Sequence, residues 1–343
     1  MPPEHDTLDP VALAVELMRV DSTSGREGEV IALVERMLAG RGWATRRIPV
    51  TVGRDDLLAM AGDAPLVTLS THLDTVPPYI PPRVDGGRLL GRGACDAKGI
   101  AAAMICAAER LRGAGVPVAL LFVVGEESCH DGAHAANGVP TTSRVLINGE
   151  PTESTLALGT KGAVRMTVRT SGRAAHSAYP QLGHSATRDL VRLLATLDDL
   201  SLPHDPLLGE TTVNIASLAG GVADNVVAPW AEARLMARLV TPVEEVVERL
   251  RRWAGEGGAS LDVGVSVPPM RLGILPGYPT AVVAYATDIP ELTNWGTPYL
   301  FGPGSIHVAH TDHEHVDVAE LVAAVGTYER LAREALEASN EEA

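Results

Sequence analysis

The chain has 343 residues, 45% hydrophobic and 21% charged, with a formal net charge of −15 at pH 7. That length exceeds what one hydrophobic core usually serves, so two domains are expected. The acidic balance argues against a nucleic-acid or anionic-membrane partner, and an aromatic content of 3% leaves little for base stacking.

Cys95, Cys106 and Cys129 show no framework spacing and argue against structural disulfides. Met1–Asp6 has neither a basic nor an apolar leader segment. No apolar run reaches about 18 residues, so no membrane span is expected and a reducing cytoplasm is the simplest compartment.

In chain order, residues 8–19 read as a helix, with Asp9 able to cap and Pro10 in the first turn. A second amphipathic helix covers 27–38 and ends at Gly40. Strands are expected over 43–50 and 57–60. The apolar run 65–69 reads as a buried strand leading into His72-Leu73-Asp74. Residues 85–93 form a turn-rich connection, followed by Asp96 and an Ala-rich helix over 100–111. Residues 116–124 are almost continuously apolar, as in a central strand buried on both faces, and run into Gly125-Glu126-Glu127. A short strand at 144–147 runs into Asn148-Gly149-Glu150. Strands alternating with helices indicate a doubly wound α/β sheet.

From Gly162 the pattern changes. Strand 164–170, helix 185–197, strands 211–218 and 230–240, helix 243–253 and strand 261–267 follow one another. That β-α-β-β-α-β order is the ferredoxin-like split unit. It places a catalytic domain in 1–161 and 269–343 and an inserted α+β domain, a lid or dimerisation domain, in 162–268. Buried-strand character returns at 281–285 and 298–301. The chain closes with a helix over 318–336 that has room for a break.

The chemistry gathers at strand ends. In a parallel sheet the carboxyl ends lie on one edge, where ligands bind. His72 and Asp74 share a face of their strand, so one ring nitrogen can bind a metal while the carboxylate takes the proton on the other. Alone, such a pair is more often a polar strand end before a turn. Asp96, Glu126, Glu127 and Glu150 sit at the following strand ends, and Gly302-Pro303-Gly304-Ser305 leads to His310 and Glu314. Burying carboxylates is costly unless they are paired or bind a cation. A His/Asp/Glu set without Cys suits zinc, cobalt or manganese. Two metals need a bridging carboxylate, and Asp96, central in the order, is the natural bridge.

At this point the sequence resembles the dizinc metallopeptidase and amidohydrolase family of acetylornithine deacetylase, succinyl-diaminopimelate desuccinylase, aminoacylase and carboxypeptidase G. The matching motifs are His72-Leu73-Asp74, Gly91-Arg92-Gly93-Ala94-Cys95-Asp96-Ala97-Lys98-Gly99, Gly125-Glu126-Glu127 and Gly149-Glu150-Pro151-Thr152. Then come Ala175-His176-Ser177-Ala178-Tyr179-Pro180, Asn225 to Pro229, and Gly302 to Ser305 with Ala309-His310. The resemblance implies a zinc-peptidase-like mixed sheet with the inserted domain as lid. It implies two divalent metals, one held by His72 and Glu150, the other by Glu127 and His310, with Asp96 bridging. Glu126 becomes the general base, Asp74 the support of His72, and the Asp96–Ala97 peptide is expected to be cis. His176 is implied as a donor to the tetrahedral oxyanion, often from the partner subunit, which makes a homodimer the expected assembly. Asn214, Arg238, Gly304 and Ser305 become candidates for substrate binding.

Plainer readings stand beside these. His176 could be a surface histidine, Arg238 a structural salt-bridge residue, Gly302–Ser305 a tight turn, and Cys95 a packing residue. His130, His134, His313 and His315 receive no role. The expected function is hydrolysis of an amide in an N-acyl amino acid, of the acetylornithine deacetylase type, within amino-acid biosynthesis. The alternatives are a dipeptidase or carboxypeptidase, or a hydrolase releasing lysine or ornithine from a carrier protein. From other classes come a catalytically silent metal-binding scaffold, disfavoured by Glu126, and a nucleotide-binding oxidoreductase, which lacks its glycine-rich turn.

Overall fold

A computed structural model describes residues 8–341; residues 1–7, Glu342 and Ala343 lie outside them. The chain divides into two compact units. The first takes the residues up to Leu158, then Leu272–Ala281, and those from Thr287 onward. The second is Gly159–Arg271 with Val282–Ala286, a short segment that the sequence reading keeps with its neighbours.

The first unit is built on a six-stranded sheet. Its order is Ala44–Thr51, Arg54–Met60, Val118–Val123, Val67–His72, Val145–Asn148, Thr297–Leu300. The first two strands form an antiparallel hairpin, and Arg54–Met60 also runs antiparallel to Val118–Val123. The remaining neighbours are parallel. Val67–His72, Val118–Val123 and Val145–Asn148 are buried at every position, which is why they read as unbroken runs rather than alternations.

Successive side chains leave opposite faces. Leu69, Leu120, Phe122 and Ile147 enter one apolar layer with the helices Pro10–Met18, Gly28–Gly40, Lys98–Gly113 and Val318–Glu341. Leu58, Leu121, Val123 and Leu146 enter the other, with Ala133, Ala136, Leu292 and Trp295. Each fully buried Leu or Phe contributes about 1.5–3 kcal/mol.

Two local expectations change. The closing helix has no break: Val318–Glu341 is continuous through Gly326. Gly326 costs about 1 kcal/mol relative to Ala. The buried Leu321, Val325, Tyr328, Leu331 and Ala335, spaced three or four apart, outweigh it. The turn-rich connection contains the paired strands Arg83–Asp85 and Arg88–Leu90, with His315–Asp317 on the far side of Arg88–Leu90. That pairing ties the segment around His310 to the segment around Asp96.

The second unit is an antiparallel sheet in the order Thr212–Gly220, Trp230–Leu239, Gly162–Ser171, Ser260–Val267, the ferredoxin-like arrangement. Helices Ala186–Leu194 and Val243–Glu256 pack on one face around Val164, Met166, Val168, Leu235, Leu250 and Trp253. Asn214, Met236 and Arg165 are register partners and share the opposite face with Arg238.

Candidate metal centre

Three adjacent parallel strands deliver the first set of side chains. Val67–His72 ends on His72, Val118–Val123 leads to Glu126 and Glu127, and Val145–Asn148 leads to Glu150. The turn to Glu126 needs glycine: Gly125 has φ 75, and a Cβ there would stand 2.1 Å from Asp131 Oδ1. Asp96 lies just before helix Lys98–Gly113, and the Asp96–Ala97 peptide is cis.

These side chains form two triads, His72/Asp96/Glu150 and Asp96/Glu127/His310, the ligand atoms within each lying within 4.8 Å of one another. Asp96 belongs to both. Its Oδ1 is 3.0 Å from His72 Nε2 and its Oδ2 is 3.1 Å from His310 Nε2. Glu127 Oε1 is 3.0 Å from His310 Nε2, and Glu150 Oε1 is 3.8 Å from His72 Nε2.

The support is equally specific. His72 Nδ1 lies 3.0 Å from the Asp74 carbonyl oxygen and 3.5 Å from Asp74 Oδ1. Both are acceptors, so Nδ1 carries the hydrogen and Nε2 faces the triad. The Asp74 carboxylate accepts from Ser24 Oγ at 2.8 Å and from the Glu126 and Glu127 N–H groups at 3.1 and 3.2 Å. Glu314, fully buried, receives Arg92 Nη1 at 2.6 Å and the Gly93 and Asp96 N–H groups at 2.8 and 3.4 Å. It holds the backbone from which Asp96 projects.

Without a cation the centre is short of positive charge. Asp74, Asp96, Glu126, Glu127 and Glu150 face His72 and His310. Burial, with Glu150 nearby, pushes the Glu126 carboxyl well above its ordinary range, and burial raises Glu150 in the same way. Burial works against a charge on His72, but hydrogen bonds to Asp74 and Asp96 outweigh it and hold the imidazole well above its usual value. His310 is raised to about 10 by its bonds to Asp96 and Glu127. Glu150 Oε1 is buried with no hydrogen-bond partner. An orphaned carboxylate oxygen amid excess negative charge is what a cation would satisfy. Two imidazoles and several carboxylates with no thiolate fit zinc, cobalt or manganese. The Cys95 thiol points elsewhere, toward the Ser305 carbonyl oxygen at 3.8 Å, and burial pushes it up.

The other candidates are placed as follows. Gly304 N–H donates to Glu320 Oε1 at 2.9 Å, and the Ser305 hydroxyl donates to Glu153 Oε1 at 2.6 Å. In the second unit, His176 is exposed, and its Nδ1 accepts from Ala178 N–H at 3.1 Å. That bond leaves the ring hydrogen on Nε2. Arg238 has no carboxylate partner among the described residues; burial and the neighbouring Arg165 lower its pKa.

Sequence reasoning missed Ser24 and the pair His130–Asp288, whose Nδ1 and Oδ1 are 2.8 Å apart. Ser24 sits in a polar loop with no periodic signal. His130 and Asp288 are 158 positions apart in sequence, and only the fold joins them.

A parallel-edged α/β sheet with two His/carboxylate triads sharing one aspartate defines a metal-dependent hydrolase. The profile of peptidase family M20/M25/M40 matches residues 68–334. A peptidase M20 domain-containing protein of Schizosaccharomyces pombe is 36% identical over 341 residues, covering 96% of this chain and 85% of its own. A probable carboxypeptidase of Aspergillus fumigatus is 37% identical over 378 residues, covering 94% and 86%. A tripeptidase structure from Staphylococcus aureus superposes with a TM-score of 0.77 at 20% identity, covering 95% of this chain and 98% of its own. The chain belongs to the M20/M25/M40 peptidase family and is a metallohydrolase of that family. No helix among the described residues is long and apolar enough to cross a membrane.

Proposed function

We propose that this protein is a two-metal peptidase acting on short peptides, as a carboxypeptidase or dipeptidase. The observation that supports it most is the split engagement of Asp96, one oxygen toward each triad, with Glu126 near enough to feel the charges of Glu150, His72 and Glu127. Relatives described as probable carboxypeptidases, and a structural neighbour described as a tripeptidase, favour a peptide over the N-acyl amino acid that the sequence first suggests. Deacetylation and a place in amino-acid biosynthesis have no such support.

Two bound divalent ions, zinc in the simplest case, would lower the pKa of a shared water and polarise the scissile carbonyl. His72 and Glu150 would hold one, Glu127 and His310 the other, and Asp96 both. Glu126 takes the proton of the attacking water and returns it to the leaving nitrogen. Burial, with Glu150 nearby, raises its carboxyl, so it holds a transferred proton more readily than an exposed glutamate would. His176 offers a ring N–H to the tetrahedral oxyanion, from a partner subunit if the protein is a homodimer. Arg238, with no acid partner among the described residues, takes the substrate's terminal carboxylate, and Asn214 shares its face.

The test is zinc-reconstituted protein against dipeptides, C-terminally blocked peptides and N-acetyl or N-succinyl amino acids. Free-carboxylate peptides are expected to be cleaved best. Glu126→Gln is expected to keep its metal and lose about a hundredfold or more in kcat. Preference for N-acyl substrates would return the reading to a deacylase, and full activity of Glu126→Gln would remove the base. In the same panel Arg238→Ala should raise KM and His176→Ala should lower kcat, each about 10–100-fold. Unchanged constants would remove those roles.

A further inference from the structure

Glu126 is fixed through its backbone but not through its carboxylate. Its N–H donates to Asp74 Oδ1 at 3.1 Å. The carboxylate makes no hydrogen bond among the described residues, and its ion-pair partner there is His130, with Nδ1 3.9 Å from Oε1. A base must be aimed as well as present, because misplacement by about 1 Å can cost a hundredfold in rate.

His130 is held in place from two directions. Its Nδ1 lies 2.8 Å from Asp288 Oδ1, and Asp288 is 1% exposed. Its backbone has φ 56, and helix Asp131–Asn137 starts at the next residue. The far end of that helix is tied to the same segment as Asp288. Asn137 Nδ2 donates to Thr293 Oγ1 at 3.0 Å, and Asn137 Oδ1 and carbonyl oxygen accept from Asn294 at 2.8 and 2.7 Å. The same ring nitrogen therefore faces two carboxylates, bonded to Asp288 and 3.9 Å from Glu126. Without it they would face each other unscreened, and the less anchored Glu126 would turn away.

We propose that His130, anchored by Asp288, is a positioning residue that aims the Glu126 carboxylate. The inference rests on reading Glu126 as the base. His130→Gly removes the ring and relieves the left-handed backbone, so a residue needed only for the turn would lose nothing. The expected result is a fall in kcat of about 10–100-fold. KM should stay within about twofold and metal at two ions per chain, with Tm lowered because the buried Asp288 carboxylate loses its partner. His130→Asn keeps a donor for Asp288 and tolerates the backbone, so it should recover part of the rate. In a Glu126→Gln background, His130→Gly should cause no further loss of the residual rate. Wild-type kcat in His130→Gly would overturn the inference, as would an equal loss in both backgrounds. A fully active Glu126→Gln would overturn the base assignment together with it. An inactive Glu126→Gln beside a fully active His130→Gly would overturn this inference alone.

Discussion

The Asp74 carboxylate holds two consecutive backbone N–H groups and a serine hydroxyl, while the Asp74 carbonyl oxygen is the nearest acceptor to His72 Nδ1. The sequence places Asp74 beside His72 by strand periodicity and so shows the contact with the ring. It does not show the second contact, because the Glu126-Glu127 turn reaches Asp74 only across the sheet. The consequence is that Asp74→Asn loses two things. Asn keeps the backbone carbonyl oxygen that accepts from His72 Nδ1, but its side chain has one acceptor oxygen where three donors converge and no charge 3.5 Å from the ring, so the turn bearing Glu126 and Glu127 loosens and the ring loses its anionic neighbour. Metal affinity measured by competition with a chelator, and kcat at saturating metal, should each fall by about 10–100-fold. A variant weakened in metal binding alone would mean that the carboxylate serves only the ring.

Among the elements, the strands with long apolar runs and the helices with regular apolar spacing are legible, and so is their order. Short paired segments such as Arg83–Asp85 and His315–Asp317 are not, because three residues of pairing leave no periodic signal. Strand Arg54–Met60 shows a further hidden feature. It buries Asp56, whose Oδ1 accepts from Val124 N–H at 3.0 Å while Oδ2 has no partner. Burial pushes this carboxyl up to about 8 from 3.8. The folded chain keeps the proton up to about pH 8, whereas the unfolded chain releases it near 3.8. Between those values the folded state binds more protons, so stability falls as pH rises. Below the unfolded value the group is neutral in both states and costs nothing; above the folded value the cost is complete. Asp56→Asn removes the titration. Its Tm relative to wild type should improve steadily from pH 5 to pH 8, and an offset constant with pH would contradict this.

At the scale of the whole molecule, the motifs bearing His72, Glu126, Glu127 and Glu150 locate the centre because they follow the carboxyl ends of neighbouring parallel strands, which a parallel sheet gathers on one edge. The support was less visible. Glu314 and Arg92 bond across 222 positions, and His130 and Asp288 across 158. Contacts at such separations depend on the completed fold and leave no local pattern. The account's central claim is that Asp96 joins two metal sites into one. Metal content per chain after exhaustive dialysis tests it most directly, with folding of each variant checked by circular dichroism. Wild type should hold two ions per chain, His72→Ala about one, and folded Asp96→Ala close to none. Two ions per chain in folded Asp96→Ala would contradict the bridge and the two-metal reading built on it.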